Sequence, residues 1–180
     1  MTEEARMEET GSGLAPATEG WFVVNVRDAA WFNHPTFGAA CRFEGREAPF
    51  REVGINIRVL QPGQPCGLYH AESQQEGFLV LSGECLLLVE GEERPLRAWD
   101  FVHCPPRTAH IVVGAGEGPA VVLMTGSRSA EWNAVYPASE FARRHGASAA
   151  KETSVPMEAY EGYEYPTPAR PPAWERLPWA

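Results

Sequence analysis

The chain has 180 residues, 44% hydrophobic and 22% charged, a balance that suits one packed domain with extensions. Its formal charge of −9 repels phosphate backbones and sets nucleic acid aside as a partner. No apolar run approaches the roughly 20 residues that cross a bilayer, so no membrane partner is expected. The acidic start, MTEEARMEETGSG, lacks the basic end and apolar stretch of a signal peptide. Cys41, Cys66, Cys85 and Cys104 show no CxxC spacing and read as reduced, small buried hydrophobes of a cytoplasmic protein.

Residues 1–19 are rich in Glu, Thr, Gly, Ala and Pro without hydrophobic periodicity, and are expected to be disordered. Residues 20–49 read as an N-terminal arm. Within it, residues 29–37 carry Trp31, Phe32, His34 and Phe37 in a pattern that fits neither clean helix nor clean strand. His34 is read as a packing residue of that arm.

Residues 50–126 read as the β-barrel core. Val53, Ile55, Ile57 and Val59 alternate with Gly54, Asn56 and Arg58, the period of a strand. Pro62-Gly63 ends it. Residues 78–81 and 85–89 flank Ser82-Gly83-Glu84, a hairpin signal, and residues 90–93 are the next turn. Residues 99–103 form a short strand stopped by Pro105-Pro106. Residues 110–113 and 120–125 are two more, separated by a glycine-rich turn. Short strands at such spacing argue for a sandwich or barrel, and no long internal repeat appears.

Residues 127–180 change character. Residues 137–146 read as a short helix with Ser139 as N-cap, Arg143 and Arg144 in the last turn and Gly146 as the stop. His145 ends that helix, where a cation suits the dipole. From Pro156 the prolines forbid regular elements. Tyr160, Tyr163, Tyr165, Trp174 and Trp179 are too apolar for a free linker. The tail is therefore expected to be extended and packed on its own barrel or on a neighbouring subunit. The aromatic content of both extensions points to a homodimer, in which they bury apolar surface.

The chemistry concentrates in two windows. GQPCGLYHAESQQEGFLVLSG offers His70, Glu72 and Glu76, and WDFVHCPPRTAHIVVG offers His110. Imidazole and carboxylate together suit zinc, iron, manganese or nickel. Residues two apart on a strand share a face, so His70 and Glu72 can point together into a barrel. Glu76 returns after a short turn, and His110 arrives from a distant strand. Tyr69 takes the opposite face and packs outward. His103, alternating with Val102 and Cys104, faces out. Gln74 and Gln75 belong to a solvated turn.

These windows resemble the cupins. In the first cupin motif a glycine and five residues precede His-x-His, then three or four residues, Glu, six residues and Gly. Here His70-x-Glu72, three residues, Glu76, six residues and Gly83 follow that pattern. Glu72 replaces the second histidine, and six residues instead of five separate Gly63 from His70. In the second motif, Trp99 stands for the first glycine, Pro105 keeps its place, Arg107 takes a glycine position, His110 is retained and Gly114 replaces asparagine. The phrases YHAESQQEGFLVLSGE, WDFVHCPP and YPASEFARRHGAS further resemble a group of small bacterial single-cupin proteins.

The resemblance implies an all-β, cupin-type jelly-roll barrel with an N-terminal arm, one short C-terminal helix and an extended tail. It also implies one divalent metal ion held by His70, Glu76 and His110, with Glu72 in the second-histidine role. Arg107 is the candidate for binding an anionic substrate at the barrel mouth. Two functions from different classes follow. The first is a metal-dependent enzyme, dioxygenase-like or isomerase-like, acting on a small polar molecule. The second is a non-catalytic module that binds or senses a small-molecule ligand. Catalytic residues are not distinguished at this stage.

Overall fold

The computed structural model describes residues 2–180. Its strands run β1 (Met7–Thr10), β2 (Gly13–Pro16), β3 (Ala30–His34), β4 (Gly38–Arg42), β5 (Val53–Leu60), β6 (Ala71–Glu72) and β7 (Glu76–Ser82). They continue as β8 (Glu84–Val89), β9 (Glu92–Arg97), β10 (Phe101–Cys104), β11 (His110–Ala115), β12 (Ala120–Ser127) and β13 (Ala134–Val135). Two single-turn helices follow, α1 (Glu140–Arg143) and α2 (Pro156–Ala159), then β14 (Thr167–Pro168) and a 3-10 turn at Trp174–Arg176.

All the paired strands are antiparallel. One sheet has the order β10-β7-β12-β5-β4-β3-β14, and a shorter one has the order β11-β8-β9. Two sheets packed face to face in this way make the all-β jelly-roll. Between them lie Leu60, Phe78, Val80, Leu87, Val112, Val122 and Met124. The other side of the long sheet is also buried, through Ile57, Val59, Val121 and Trp31. This explains why β12 reads as the continuous apolar run AVVLM: alternate residues enter different cores.

The extensions depart from the sequence expectations. Residues 1–19 were expected to be disordered, yet β1 and β2 form a hairpin, with Thr10 Oγ1 donating to Gly13 O (2.6 Å). Leu14 N–H donates to Asp28 O (2.7 Å), tying the hairpin to the arm. Backbone hydrogen bonding orders a segment whose side chains carry little hydrophobic pattern. Residues 29–37, which fit neither element by pattern, are strand β3 and its turn into β4. Both faces of β3 meet protein, so alternation is lost.

The tail is not devoid of regular structure. Pro156 opens α2 at its first turn, where a missing N–H costs nothing. Thr167 and Pro168 pair with the edge strand β3. Trp174 and Trp179 close on Trp31, with ring centroids 5.8 and 5.5 Å away, and Tyr160 and Tyr163 close on Phe37. These contacts lie within the single chain. The helix stop at Gly146 (φ 67°) and the Ser139 cap, which accepts from Ala142 N–H (3.2 Å), match the sequence reading, although α1 itself is shorter than residues 137–146. His145 Nε2 lies 2.9 Å from Glu93 Oε1. Tyr69 points away from the cavity as expected, but it is buried beneath α1, against Phe141 and Ala142.

Trp31 is fully buried, and its Nε1–H donates to Val26 O (2.9 Å). Trp31→Ala removes the surface on which both tail tryptophans rest. It should cost about 3–5 kcal/mol of stability in a denaturant titration. It should also raise Trp174 and Trp179 exposure to a soluble quencher.

Candidate metal centre

His70 and His110 face each other across an antiparallel bridge and exchange both backbone hydrogen bonds, at 3.2 and 2.9 Å. Directly opposed residues project to the same side, and the two rings lie with centroids 5.3 Å apart. Glu76 opens β7, beside β10 and β12, and sends its carboxylate to the same point. Its Oε2 is 3.2 Å from His110 Nε2 and 3.8 Å from His70 Nε2. The three donors all lie within 4.8 Å of one another. Bonds of about 2.0–2.2 Å from one ion would span separations of this order.

The ring nitrogens are set up for a cation. His70 Nδ1 lies 2.7 Å from Leu68 O, and His110 Nδ1 lies 2.9 Å from Thr108 O. A carbonyl only accepts, so each Nδ1 carries a hydrogen and Nε2 is the ring atom left facing the cavity, where it could donate its lone pair to a metal. His110 Nε2 is buried without a hydrogen-bond partner of good geometry, and Glu76 Oε2 lies 3.2 Å from it. An orphaned buried nitrogen facing a carboxylate is what an absent ion would leave. The donor set of two imidazoles and one carboxylate fits a divalent metal.

Burial opposes a charged His110 ring. The adjacent Cys104 and Glu76 side chains outweigh it and push the His110 pKa up to about 10. Tyr136 stacks on His70 at 5.5 Å, and Phe78 lies 5.2 Å from His110, so both rings are held by aromatic neighbours.

Glu72 lines the same cavity but stands outside the three-donor group. Its Oε1 is 3.4 Å from His70 Nε2, and its Oε2 accepts from Trp132 Nε1–H at 2.7 Å. Burial raises its pKa; the contacts to His70 and Trp132 oppose this, and the net shift is downward. Arg107 requires a correction. It sits at φ 69° in the turn between β10 and β11, and its N–H donates to Glu72 O (2.6 Å). The left-handed backbone there turns the side chain outward, and it does not line the cavity. The arginines that do are Arg58 and Arg128.

The cavity has a volume of about 510 Å³. Asn56, Arg58, Trp132, Tyr136 and Tyr160 also line it, and motif spacing points to none of them. Asn56 and Arg58 carry a signal nonetheless, as the polar positions of the alternating strand β5. Trp132, Tyr136 and Tyr160 come from the segment after the barrel and carry none. The free cysteines agree with the sequence reading: Cys41, Cys85 and Cys104 are buried and Cys66 is partly so. Burial pushes the Cys41 and Cys85 thiols up to about 12. His103 is exposed, and His34 is buried with Nδ1 accepting from Thr36 N–H (3.0 Å). Among the described residues, no helix is long and apolar enough to cross a membrane.

The two-sheet jelly-roll with histidines and a carboxylate converging inside it defines a cupin-type barrel. Residues 56–126 match the family model of the cupin domain, so this part of the chain is a cupin domain. Among solved structures, a sugar phosphate isomerase of the cupin superfamily from Silicibacter pomeroyi is 21% identical. That match covers 66% of this chain and 83% of that one, with a TM-score of 0.57. A candidate sugar phosphate isomerase from Acidithiobacillus ferrooxidans is 30% identical over 47% of this chain, with a TM-score of 0.45. The match spans 55%, about half, of that protein's length. An RmlC-like cupin from Shewanella frigidimarina is 21% identical over 56% of this chain and 85% of that one, with a TM-score of 0.46. No curated protein matches the chain.

Two measurements check the centre. His70→Ala and Glu76→Ala should each abolish the binding of one divalent ion per chain, read by elemental mass spectrometry on protein purified without chelators. The raised His110 pKa gives the metal-free protein stability that is fully present below the ordinary value of 6.5 and is lost as pH rises through about 10. Urea midpoints of metal-free protein should therefore fall across that window, and His110→Gln should flatten the fall.

Proposed function

We propose that the chain is a metal-dependent enzyme of the isomerase-like kind, moving a proton on a small polar molecule held in the barrel. The observation that carries this reading is the pairing of three side chains that could hold a metal, His70, Glu76 and His110, with a separate carboxylate, Glu72, in one cavity. A bound divalent ion would act there as a Lewis acid toward a hydroxyl or carbonyl oxygen.

The protein groups divide the remaining work. His70, Glu76 and His110 are the donors that would hold the ion. Glu72 is oriented by the Trp132 indole N–H, and its lowered pKa keeps it ionised and able to accept a proton at neutral pH. Burial raises the Tyr136 hydroxyl pKa, so that group stays protonated and available as a hydrogen-bond donor. Phe78 and Met124 form part of the wall, keeping water from surrounding the ligand. The small-molecule partner is thus polar, and it is enclosed rather than laid on a surface.

The test uses protein loaded with the divalent ion that elemental mass spectrometry finds in it. It is incubated in D2O with a panel of small hydroxy-aldehydes and hydroxy-ketones, and C–H exchange is followed by NMR. Exchange should occur, and Glu72→Gln should keep the metal while slowing exchange by about 10²-fold or more, the range of a lost general base. Oxygen consumption without exchange would replace this reading by the dioxygenase one. Metal loss in Glu72→Gln would make Glu72 a ligand and remove its role as base. Tight binding of a panel member with neither exchange nor oxygen uptake would leave a ligand-binding module.

A further inference from the structure

The inner face of the long sheet continues past the metal centre. Register places Arg58 of β5 opposite Ala40 of β4, and Asn56 opposite Arg42. Arg58 and Arg42 are thus diagonal neighbours on one face. Arg58 lines the metal cavity and also a second hollow of about 660 Å³, which Arg42 lines too. No residue of the β11-β8-β9 sheet lines that hollow.

The charge in this hollow runs against the rest of the molecule. The chain carries 24 acidic and 15 basic residues, so an arginine has many possible carboxylate partners. Arg42, Arg46, Arg58 and Arg128 line the hollow, with Glu44 as its one acidic residue. Glu44 is taken by Arg128, whose two terminal nitrogens reach its two oxygens at 2.8 and 2.5 Å. Arg46 lies 3.6 Å from Glu47 at the exposed rim.

Arg42 and Arg58 have neither kind of partner among the described residues. The Arg58 Nε is buried with no hydrogen-bond partner. Arg42 stacks over the Phe32 ring at 4.5 Å, which orients its guanidinium without neutralising it. Burial, and then the charge of Arg58, press the Arg42 pKa down, while Glu44 opposes them. Arg58 is half-buried and Arg42 is exposed to solvent; the two guanidinium groups repel each other on one face of the sheet, and neither forms an ion pair. Leaving a buried guanidinium N–H unpaired is costly, and an oxyanion with several acceptor oxygens would relieve it.

We propose that Arg58 and Arg42 form an oxyanion subsite at the junction of the two cavities, and that it takes the phosphate group of a small phosphorylated molecule. A dianion matches two unpaired guanidinium groups better than a single carboxylate does, and its oxygens can serve both forks. Because Arg58 also borders the metal cavity, the body of such a ligand would face His70, Glu76 and His110. That extension alone rests on the metal-enzyme reading.

The test is a titration of metal-free, full-length protein with inorganic phosphate at constant ionic strength, which holds screening fixed. The arginine Nε–H resonances are read by NMR. Phosphate should bind saturably at one site and shift the Arg58 and Arg42 signals. Arg58→Met should weaken binding by about tenfold or more, and Arg42→Met should weaken it as well, as lost charge-assisted bonds imply. Arg58→Lys, which keeps the charge and the fold, should fall between. Arg94→Met, on β9 and outside the hollow, should bind as the parent does. Absence of saturable binding overturns the subsite, as does undiminished binding by a folded Arg58→Met variant. Acetate binding as tightly as phosphate overturns the phosphate assignment. Failure of the protein to take up metal, with phosphate binding intact, sinks the metal-enzyme reading and leaves this subsite standing.

Discussion

The bridge between His70 and His110 is the constraint on which the site depends. Two backbone hydrogen bonds join a loop residue following β5 to the first residue of β11, and so link the long sheet's connections to the short sheet. The same two bonds set both imidazoles on one side. The carbonyls of Leu68 and Thr108, each two residues earlier, then fix both rings in the same tautomer. Backbone geometry thus does most of the work of preorganising the donors, and the aromatic rings of Tyr136 and Phe78 complete it. Glu76 needs only to start a strand at the right place in the sheet order.

A jelly-roll must bury apolar residues between its sheets, yet a functional cavity must hold polar ones. This chain separates the two demands along single strands. On β5, Ile57 and Val59 enter the outer core with Trp31, while Asn56 and Arg58 face the cavities. On β12, Val122 and Met124 help close the inner core, and the later residues Thr125 to Ser127 line the cavity mouth. The outer core is what makes this division possible. The arm and tail cover the back of the sheet, so stability does not rest on the inner face alone.

The charge distribution follows the same separation. Carboxylates gather around the two histidines, and uncompensated guanidinium groups gather one step along the same face. Opposite local fields that share a cavity wall would orient a ligand with distinct ends, because each end gains only where it meets its complement.

The period of two in residues 53–59, the turn signals and the two histidine-bearing windows were legible in the sequence because each rests on local chemistry. The spacing of His70, Glu72, Glu76 and His110 was enough to name candidate donors, and the alternation at Asn56 and Arg58 marked one face of β5 as polar. Which of those groups converge depended on strand order and register, which no local pattern encodes. Tertiary packing chose Arg58 over Arg107 for the cavity, since a left-handed turn directs Arg107 to solvent. It recruited Trp132 and Tyr136 from the segment after β12 and Tyr160 from the proline-rich tail, and it ordered the N-terminal hairpin through backbone bonds. Sequence alone determined which residues could bear charge, bind metal or end a strand. Only the folded chain decided which of them meet, because meeting depends on contacts between residues far apart in the chain.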